Sequence, residues 1–270
     1  MSESDIYLLG HTRAEEERLV RQAQELASES LALLDQTRLR PGDRAIDIGC
    51  GPQGILELLS ERVGPHGKAV GLERSEATVQ LARKFAADRG FANVEVHQGD
   101  AKASRLPRAS FDLVHARLVL VNVPEPQQVV DEMAALACPG GAVASHEADW
   151  HGCLCDPPAP AWDRLFEVFH AYSRANGIDL FVGRKTHRML RAAGIEAVQV
   201  NPVVHVCHCG HPRRAIFRDF MRNLRDNLLA AGLIDDKEFE ERIGALKRDL
   251  DDPGRLVFYS YFQAWGRTPN

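Results

Sequence analysis

The sequence predicts an α/β fold whose central sheet consists mainly of parallel strands. From about residue 44 to residue 150, short apolar segments alternate with amphipathic helical segments, which is the rhythm of βαβ units. The first apolar segment carries Asp47 and runs directly into a turn that contains Gly49, Gly51 and Gly54. Glycine lets the backbone approach a ligand closely, and such sheets bind ligands at the carboxyl edge of their strands. These observations predict a ligand site after the first strand.

Helical segments precede and follow this core along the chain. Thr12 and Glu15 form a capping-box pattern at the start of a long amphipathic helix, which predicts an N-terminal helical cap over residues 1–40. Residues 41–270 are expected to form the main domain. After residue 150, the pattern predicts helices near residues 160–174 and 184–193, a strand from 196 to about 209, and a last strand over 255–265.

An inserted segment, at about residues 212–250, precedes the last strand. Gly232 separates its two helical patterns, and we interpret the first as an amphipathic lid helix. Its polar face carries Arg214, Arg218, Arg222 and Arg225. These arginines form either a solvated face paired with acidic neighbours, where exposed ion pairs contribute little, or a binding surface for an anionic acceptor group.

The glycine spacing after the first strand fits two kinds of cofactor. Gly49-x-Gly51-x-x-Gly54 matches the dinucleotide fingerprint, which keeps an NAD-dependent oxidoreductase as an alternative. However, Asp47 lies two residues before the first glycine, where its negative charge would repel a pyrophosphate. S-adenosylmethionine has no phosphate, and its sulfonium and ammonium groups are cationic. The carboxylate therefore favours S-adenosylmethionine.

Three further strands end in residues that this cofactor would need. Glu73 ends the second strand, where a carboxylate can accept hydrogen bonds from both ribose hydroxyls. Asp100 and Ala101 follow the third strand, where the carboxylate can accept from an adenine amino group, and Arg117 ends the fourth. The alternative for Glu73 and Asp100 is that each acid caps the following helix or turn.

With these four motifs in this order, residues 40 to 150 resemble the class I S-adenosylmethionine-dependent methyltransferases of the bacterial small-molecule type. The resemblance implies a Rossmann-like, seven-stranded mixed sheet with the order 3-2-1-4-5-7-6. It also implies that the first motif lines the methionine part of the cofactor, Glu73 the ribose, Asp100 with Ala101 the adenine, and Arg117 the sulfonium end. The family usually has glycine at the position of Gln53, so Gln53 could itself touch the cofactor. The predicted cofactor-binding residues are Asp47, Gly49, Cys50, Gly51, Gln53, Glu73, Arg74, Asp100, Ala101 and Arg117.

Composition restricts the class of acceptor. The net charge of -5 gives no global basic surface for a nucleic-acid backbone, so we expect no nucleic-acid partner. The fourth strand agrees, because base-modifying methyltransferases usually carry an Asn/Asp-Pro-Pro-aromatic run where this chain has residues 116–119 as Ala-Arg-Leu-Val. No apolar run approaches the roughly 20 residues of a membrane span, and no signal peptide is evident. We therefore expect a cytoplasmic protein with a small-molecule acceptor, and a homodimer stays open.

Histidine is the natural general base for a hydroxyl acceptor near neutral pH. His146, at the end of the fifth strand, is the first candidate, with Glu147 or Asp149 as orienting partners. His11, before the N-terminal helix, is the second catalytic candidate. The predicted acceptor-side residues are Tyr7, Trp150 and His151. The alternatives are a histidine satisfied by its neighbours and aromatic side chains that simply pack in the core.

Four of the six cysteines form two Cys-x-Cys pairs flanked by histidines, at residues 151–155 and 205–211. Neither pair has the spacing of common structural zinc sites, and cysteine is a frequent small core residue. We expect buried thiols and no bound metal, while a metal or a thiophilic acceptor such as trivalent arsenic is the alternative.

Together these observations predict an S-adenosylmethionine-dependent methyltransferase that acts on a small molecule, most simply by O-methylation of an aromatic or polyketide-like metabolite. The segments outside the core resemble bacterial small-molecule methyltransferases related to the quinone-biosynthesis C-methyltransferases, so C- or N-methylation of a quinone-like or heterocyclic metabolite is a second interpretation. A cofactor-binding scaffold without transfer activity is a third.

Overall fold

The computed structural model describes residues 13–270, which form a sheet of eight strands covered by helices on its two faces. The strands are β1 Arg44–Ile48, β2 Lys68–Glu73, β3 Val94–Gln98, β4 Phe111–Arg117, β5 Ala137–Ala148, β6 Leu154–Asp156, β7 Glu196–Cys207 and β8 Leu256–Arg267. The helices are α1 Arg13–Glu25, α2 Ala27–Thr37, α3 Leu56–Val63, α4 Glu76–Asp88, α5 Pro126–Leu136, α6 Pro160–Ala175, α7 Thr186–Ala192, α8 Ile216–Ala230 and α9 Asp236–Asp251.

Strand order confirms the predicted α/β fold. Strands β1 to β5 run parallel in the order β3-β2-β1-β4-β5, and β8 joins β5 antiparallel. β7 pairs antiparallel with β8, so β7 and β8 are the predicted sixth and seventh strands in the predicted positions. The prediction of seven strands was wrong by one. The extra strand, β6, pairs with the start of β8 beyond the end of β5, and its three residues are too few to show a periodic pattern.

Two helices, α1 and α2, replace the single long N-terminal helix that the periodicity predicted. The break falls at Leu26, which is fully buried and has φ -98° and ψ 8°. α2 then lies on the sheet, where Leu33 and Leu34 pack in one core cluster with Ala144 of β5 and Trp265 of β8. The cap is therefore in contact with the half of the sheet that carries β5 and β8.

The inserted helices α8 and α9 pack against α6, next to the aromatic core. The apolar face of α8 is buried, and its members include Phe217, Phe220, Met221, Leu224 and Leu228. Trp162 packs against Phe217 in a tilted arrangement, with ring centroids 4.5 Å apart. Within residues 13–270, no helix combines the length and the apolar character that crossing a membrane requires.

Candidate active site

The turn after β1 is held by three glycines with positive φ. Gly49, Gly51 and Gly54 have φ values of +66°, +56° and +48°, a region that L-residues with side chains rarely adopt. At Gly54 a Cβ atom would lie 2.2 Å from Asp47 Oδ2, whereas at Gly51 the nearest atom would be Leu19 Cδ1 at 4.0 Å. The turn therefore has one side packed against β1 and an open side at Gly51.

Asp47 anchors this turn from below. Its carboxylate is buried, and Oδ2 accepts a hydrogen bond of 3.0 Å from the Ile55 N–H just before α3. Oδ1 lies 2.8 Å from Nδ1 of His115 on the neighbouring strand β4. Both carboxylate oxygens thus have partners within the protein, and the carboxylate fixes the conformation of the turn. The predicted contact of Asp47 with the methionine part of the cofactor stays a prediction.

Glu73 and Asp100 lie at the same edge of the sheet. Glu73 Oε2 accepts from the Gly51 N–H at 3.1 Å, and Oε1 accepts from two N–H groups at the start of the next turn. Oε1 uses both of its lone pairs on these two N–H groups, whereas Oε2 keeps a second lone pair and can still accept from a hydroxyl group. Asp100 is exposed, and its Oδ1 accepts from the Lys102 N–H at 2.8 Å. Two strand-end carboxylates beside a glycine turn with one open side fit a nucleoside, which needs hydrogen-bond acceptors for its hydroxyl and amino groups.

Four other predicted cofactor residues have particular surroundings. The Cys50 thiol is buried behind the turn, where burial and then the charge of Asp47 raise its pKa well above its ordinary value. Gln53 Nε2 donates to the carbonyl of Val20 on α1 at 3.1 Å, so its amide joins the turn to the cap. The Arg74 N–H donates to Glu73 at 2.8 Å, and Ala101 is partly buried against the core.

Arg117 and His146 stand side by side at the ends of β4 and β5. They are paired in register, and His146 is paired in turn with Gln263 of β8. Arg117 Nη1 donates to Ser30 Oγ of α2 at 2.8 Å, and Nη2 donates to the carbonyl of Gly54 at 3.2 Å. Burial, partly offset by the charge of Asp47, lowers the pKa of Arg117 to about 10. Arg117 therefore links the cofactor turn, the cap and the row that contains His146.

His146 is fully buried, and neither of its ring nitrogens has a hydrogen-bond partner within the described residues. Burial, followed by the positive charge of Arg117, lowers its pKa well below the ordinary value, so the imidazole is neutral at pH 7. A neutral imidazole has one bare nitrogen that can accept a proton. Its predicted partners, Glu147 and Asp149, bond elsewhere, because alternate residues of a strand point to opposite faces.

Glu147 supports the loop after β4 instead. Its carboxyl group accepts the backbone N–H groups of Val119, Leu120 and Val121 at 3.0 to 3.2 Å. Burial raises the pKa of Glu147 to about 8, although the three N–H groups act in the opposite direction. A Cβ atom on Gly49 would lie 2.6 Å from Val119 Cγ2. Glu147 therefore positions the loop that packs against the first glycine of the cofactor turn.

Asp149 is also buried and structural, because Arg184 binds both of its oxygens at 2.6 and 2.7 Å. Trp150 lies in the aromatic core, 5.2 Å from Phe169 between ring centroids, which is the core-packing alternative rather than an open pocket wall. His151 is exposed and packs edge-on against Phe181. Tyr7 and His11 lie outside the described residues.

No group of three or more metal-ligating side chains is present within residues 13–270. Cys153, Cys155 and Cys207 are buried, and burial raises the pKa of Cys153 and Cys155 to about 12. These side chains are therefore neutral thiols at physiological pH. Cys209 is exposed, and its thiol lies 3.6 Å from the carbonyl of Asp251.

Sequence reasoning missed His115, Arg213 and Tyr261 in this region, and it considered His205 only as a neighbour of the second Cys-x-Cys pair. The rings of His146 and His205 lie 5.7 and 5.2 Å from that of Tyr261, measured between centroids. Arg213 stands over the same ring at 5.5 Å. These side chains come from three distant segments, so no local motif signals them. Only the alternation of His205 on β7 and of Tyr261 on β8 could have placed them on one face.

Comparison with known proteins identifies a family and a fold. A family model described as a methyltransferase domain matches residues 39–194, more than half of the chain. A demethylmenaquinone methyltransferase of Listeria monocytogenes is 30% identical over 135 residues, which cover 50% of this chain and 54% of the relative. A nocamycin O-methyltransferase of Saccharothrix syringae is 37% identical over 111 residues, which cover 41% of this chain and 40% of the relative. The chain spans about half the length of the curated relatives it matches.

Among solved structures, a phosphoethanolamine N-methyltransferase of Haemonchus contortus, in complex with S-adenosylhomocysteine, superposes with a TM-score of 0.62. The sequence identity is 18%, and the match covers 100% of this chain and 61% of that one. At this identity the likeness concerns the fold.

Proposed function

The chain belongs to the class I S-adenosylmethionine-dependent methyltransferase family, and from this membership we propose that it transfers a methyl group to a hydroxyl oxygen of an aromatic or polyketide-like small molecule. The observation that carries the choice of oxygen is His146, a buried neutral imidazole with two unpartnered nitrogens at the end of β5. Carbon acceptors need no such positioned base when they are already activated, whereas a hydroxyl group gains from one.

The cofactor half of the site is supported by the strand-end carboxylates. Glu73 faces the glycine turn through the Gly51 N–H, and Asp100 is exposed two residues beyond the end of β3. S-adenosylmethionine, when bound, supplies a methyl group on a cationic sulfur. Glu73 Oε2 would accept from a ribose hydroxyl and Asp100 from the adenine amino group. Arg117 would then stand at the transfer end of the site, between the cofactor turn and His146.

The acceptor half of the site would use His146 as a general base. Its bare nitrogen would accept the hydroxyl proton as the acceptor oxygen takes the methyl group, while the sulfur–methyl bond would break and S-adenosylhomocysteine would leave. The strand register holds the imidazole next to Arg117 and Gln263, and Tyr261 packs edge-on against it. A fixed base in a site closed to water is what an in-line displacement requires of the protein.

Methylation at carbon is the second candidate, because a relative that is 30% identical is named a demethylmenaquinone methyltransferase. In that case an acceptor carbon, rather than an oxygen, would face the methyl group, and loss of the base would matter less. The behaviour of a His146→Ala variant therefore separates the two candidates.

Titration with S-adenosylhomocysteine, with NAD as the comparison, tests the cofactor. We expect binding of the first ligand only, weakened in Asp100→Ala. A panel of phenols and enols is then incubated with S-adenosylmethionine and screened for a mass increase of one methyl group. Transfer to oxygen that falls about 100-fold or more in His146→Ala, with unchanged cofactor affinity, would support the proposal. Absence of S-adenosylhomocysteine binding would refute it, and cofactor binding without any transfer would favour the scaffold.

A further inference from the structure

Arg213 is a charged residue in the interior that the proposed transfer reaction does not use. It lies in the short turn before α8, and its side chain is 1% exposed. Nε donates to Glu25 Oε2 of α1 at 2.9 Å, and Nη1 donates to the Tyr261 hydroxyl at 2.8 Å. The third nitrogen, Nη2, is buried and has no hydrogen-bond partner within the described residues.

The surroundings of Nη2 are those of the acceptor side of the site. The guanidinium carbon of Arg213 lies 5.5 Å from the centroid of the Tyr261 ring, and the centroid of the His146 ring lies 5.7 Å from that same centroid. The positive charge of Arg213 also contributes to the lowered pKa values of His146 and His205. His205 in turn lies 2.8 Å from Glu29 of α2. Arg213 is thus part of one buried group of polar side chains beneath α1 and α2.

An unpartnered guanidinium nitrogen in this position needs an explanation. Buried polar atoms are almost always hydrogen-bonded, and a charged donor that lacks a partner is costly. Nη2 can only donate, so its partner must be an acceptor, and the planar guanidinium fork is best matched by a carboxylate. Glu25 occupies the adjacent Nε but leaves Nη2 free.

We propose that Arg213 Nη2 binds a carboxylate group of the acceptor, so that the molecule methylated next to His146 is an organic acid. The inference rests on the proposed function, because it assigns the acceptor to the space beneath α1 and α2. Glu25 competes with the acceptor carboxylate for the same guanidinium. Arg213 is then a specificity residue, while His146 acts on the hydroxyl group.

The arginines of α8, which the sequence had suggested for an anionic group, have other partners or positions. Arg218 binds Asp219 at 2.8 Å, and Arg225 binds Asp226 and Asp236. Arg222 is exposed on the surface. Arg214, in the turn before α8, is buried and donates to backbone carbonyls, including that of Cys207 at 3.0 Å. Arg213 is therefore the arginine of this segment that faces the imidazoles.

The test uses the full chain saturated with S-adenosylhomocysteine. Para-hydroxybenzoate and its methyl ester, which differ mainly in the negative charge, are titrated in parallel by calorimetry. We expect the acid to bind about 10- to 100-fold more tightly than the ester, which is the range of a charge-assisted hydrogen bond. Arg213→Gln should remove this preference, Arg213→Lys should restore part of it, and Arg218→Gln should leave it unchanged.

Glu25→Gln provides a test that does not depend on the folding of an Arg213 variant. It removes the competing carboxylate, so the affinity for the acid should rise while that for the ester stays the same. The inference would be overturned if the acid and the ester bind equally, or if the acid does not bind at millimolar concentration. It would also be overturned if the preference for the acid survives in Arg213→Gln, or if the affinity for the acid is unchanged in Glu25→Gln. If the natural protein does not bind S-adenosylhomocysteine at all, the proposed function is refuted instead.

Discussion

Two glycines of the cofactor turn provide a matched test of how the turn is held. Gly51 and Gly54 both have positive φ, +56° and +48°, so replacement by alanine imposes the same kind of backbone strain at each position. That strain is about 1–2 kcal/mol for an L-residue. At Gly51 the new methyl group would have space, with the nearest atom 4.0 Å away. We therefore expect Gly51→Ala to lower the free energy of unfolding by about 1–2 kcal/mol.

Gly54→Ala should cost considerably more. The methyl carbon would lie 2.2 Å from Asp47 Oδ2 and 2.6 Å from the carbonyl oxygen of Cys50, so either the side chain or the turn must move. Moving Asp47 breaks its hydrogen bond to the Ile55 N–H, and a bond to a charged group is worth about 1.5–3 kcal/mol. Added to the strain, the total becomes about 2.5–5 kcal/mol.

The comparison is made by urea unfolding of both variants, with thermal scans as a second measurement. The difference of about 1.5–3 kcal/mol corresponds to a melting temperature roughly 3–12 °C lower for Gly54→Ala than for Gly51→Ala, at about 2–4 °C per kcal/mol for a chain of this size. If the two variants unfold with the same free energy, Asp47 does not hold the turn in the way described.

Three further predictions concern buried titratable groups near the site. His146→Ala should lower the rate of oxygen methylation at least about 100-fold. In the natural protein the rate should stay constant from pH 8 down to about pH 6.5, because the lowered pKa keeps the imidazole neutral. A rate that falls as the pH is lowered from 8 to 6.5 would contradict the assignment. The pKa of Glu147, raised by burial to about 8 from 4.5, should add stability that is complete below pH 4.5 and lost as the pH rises to 8. Unfolding free energies of the natural protein and Glu147→Gln across this range should therefore converge or cross, and a constant difference would argue otherwise. Arg184→Ala should lower the free energy of unfolding in urea by about 2 kcal/mol, because the fully buried carboxylate of Asp149 loses both of its bonds to the Arg184 side chain. The loss is smaller than for a fully buried ion pair, since Arg184 is half exposed. Arg188→Ala, at an exposed position of the same region, is the control.

The parallel half of the fold could be predicted because each strand and the following helix are local patterns. The alternation of apolar segments and amphipathic helices predicted where β1 to β5 lie along the chain, whereas their order in the sheet was implied by the family resemblance. The two errors have physical reasons. β6 has only three residues and owes its existence to β8, and the break between α1 and α2 at Leu26 interrupts an apolar periodicity that continues on both sides.

The two halves of the site differ in predictability for a related reason. The predicted cofactor residues lie at or just after the ends of β1 to β4, so the motif and the structural position coincide. The acceptor side depends on pairing between strands that are distant in sequence. His205 meets Tyr261 through the pairing of β7 with β8, and Arg213 reaches the same ring from a turn outside the sheet. Nothing in the local sequence of Arg213 distinguishes it from Arg214, which binds only backbone carbonyls.

The cap connects these two halves. Gln53 of the cofactor turn donates to α1, Arg117 donates to Ser30 of α2, and Gln263 donates to the carbonyl of Glu29. Because the polar group beneath the cap is almost fully buried, an acceptor can reach His146 only if some of these contacts open. They are single polar bonds next to a helix break, and such bonds contribute little net stability, so their opening costs less than exposure of the apolar core. Leu33 and Leu34 hold α2 on the sheet through apolar contacts, so we expect only the polar bonds at the edge of the cap to open if an acceptor reaches His146.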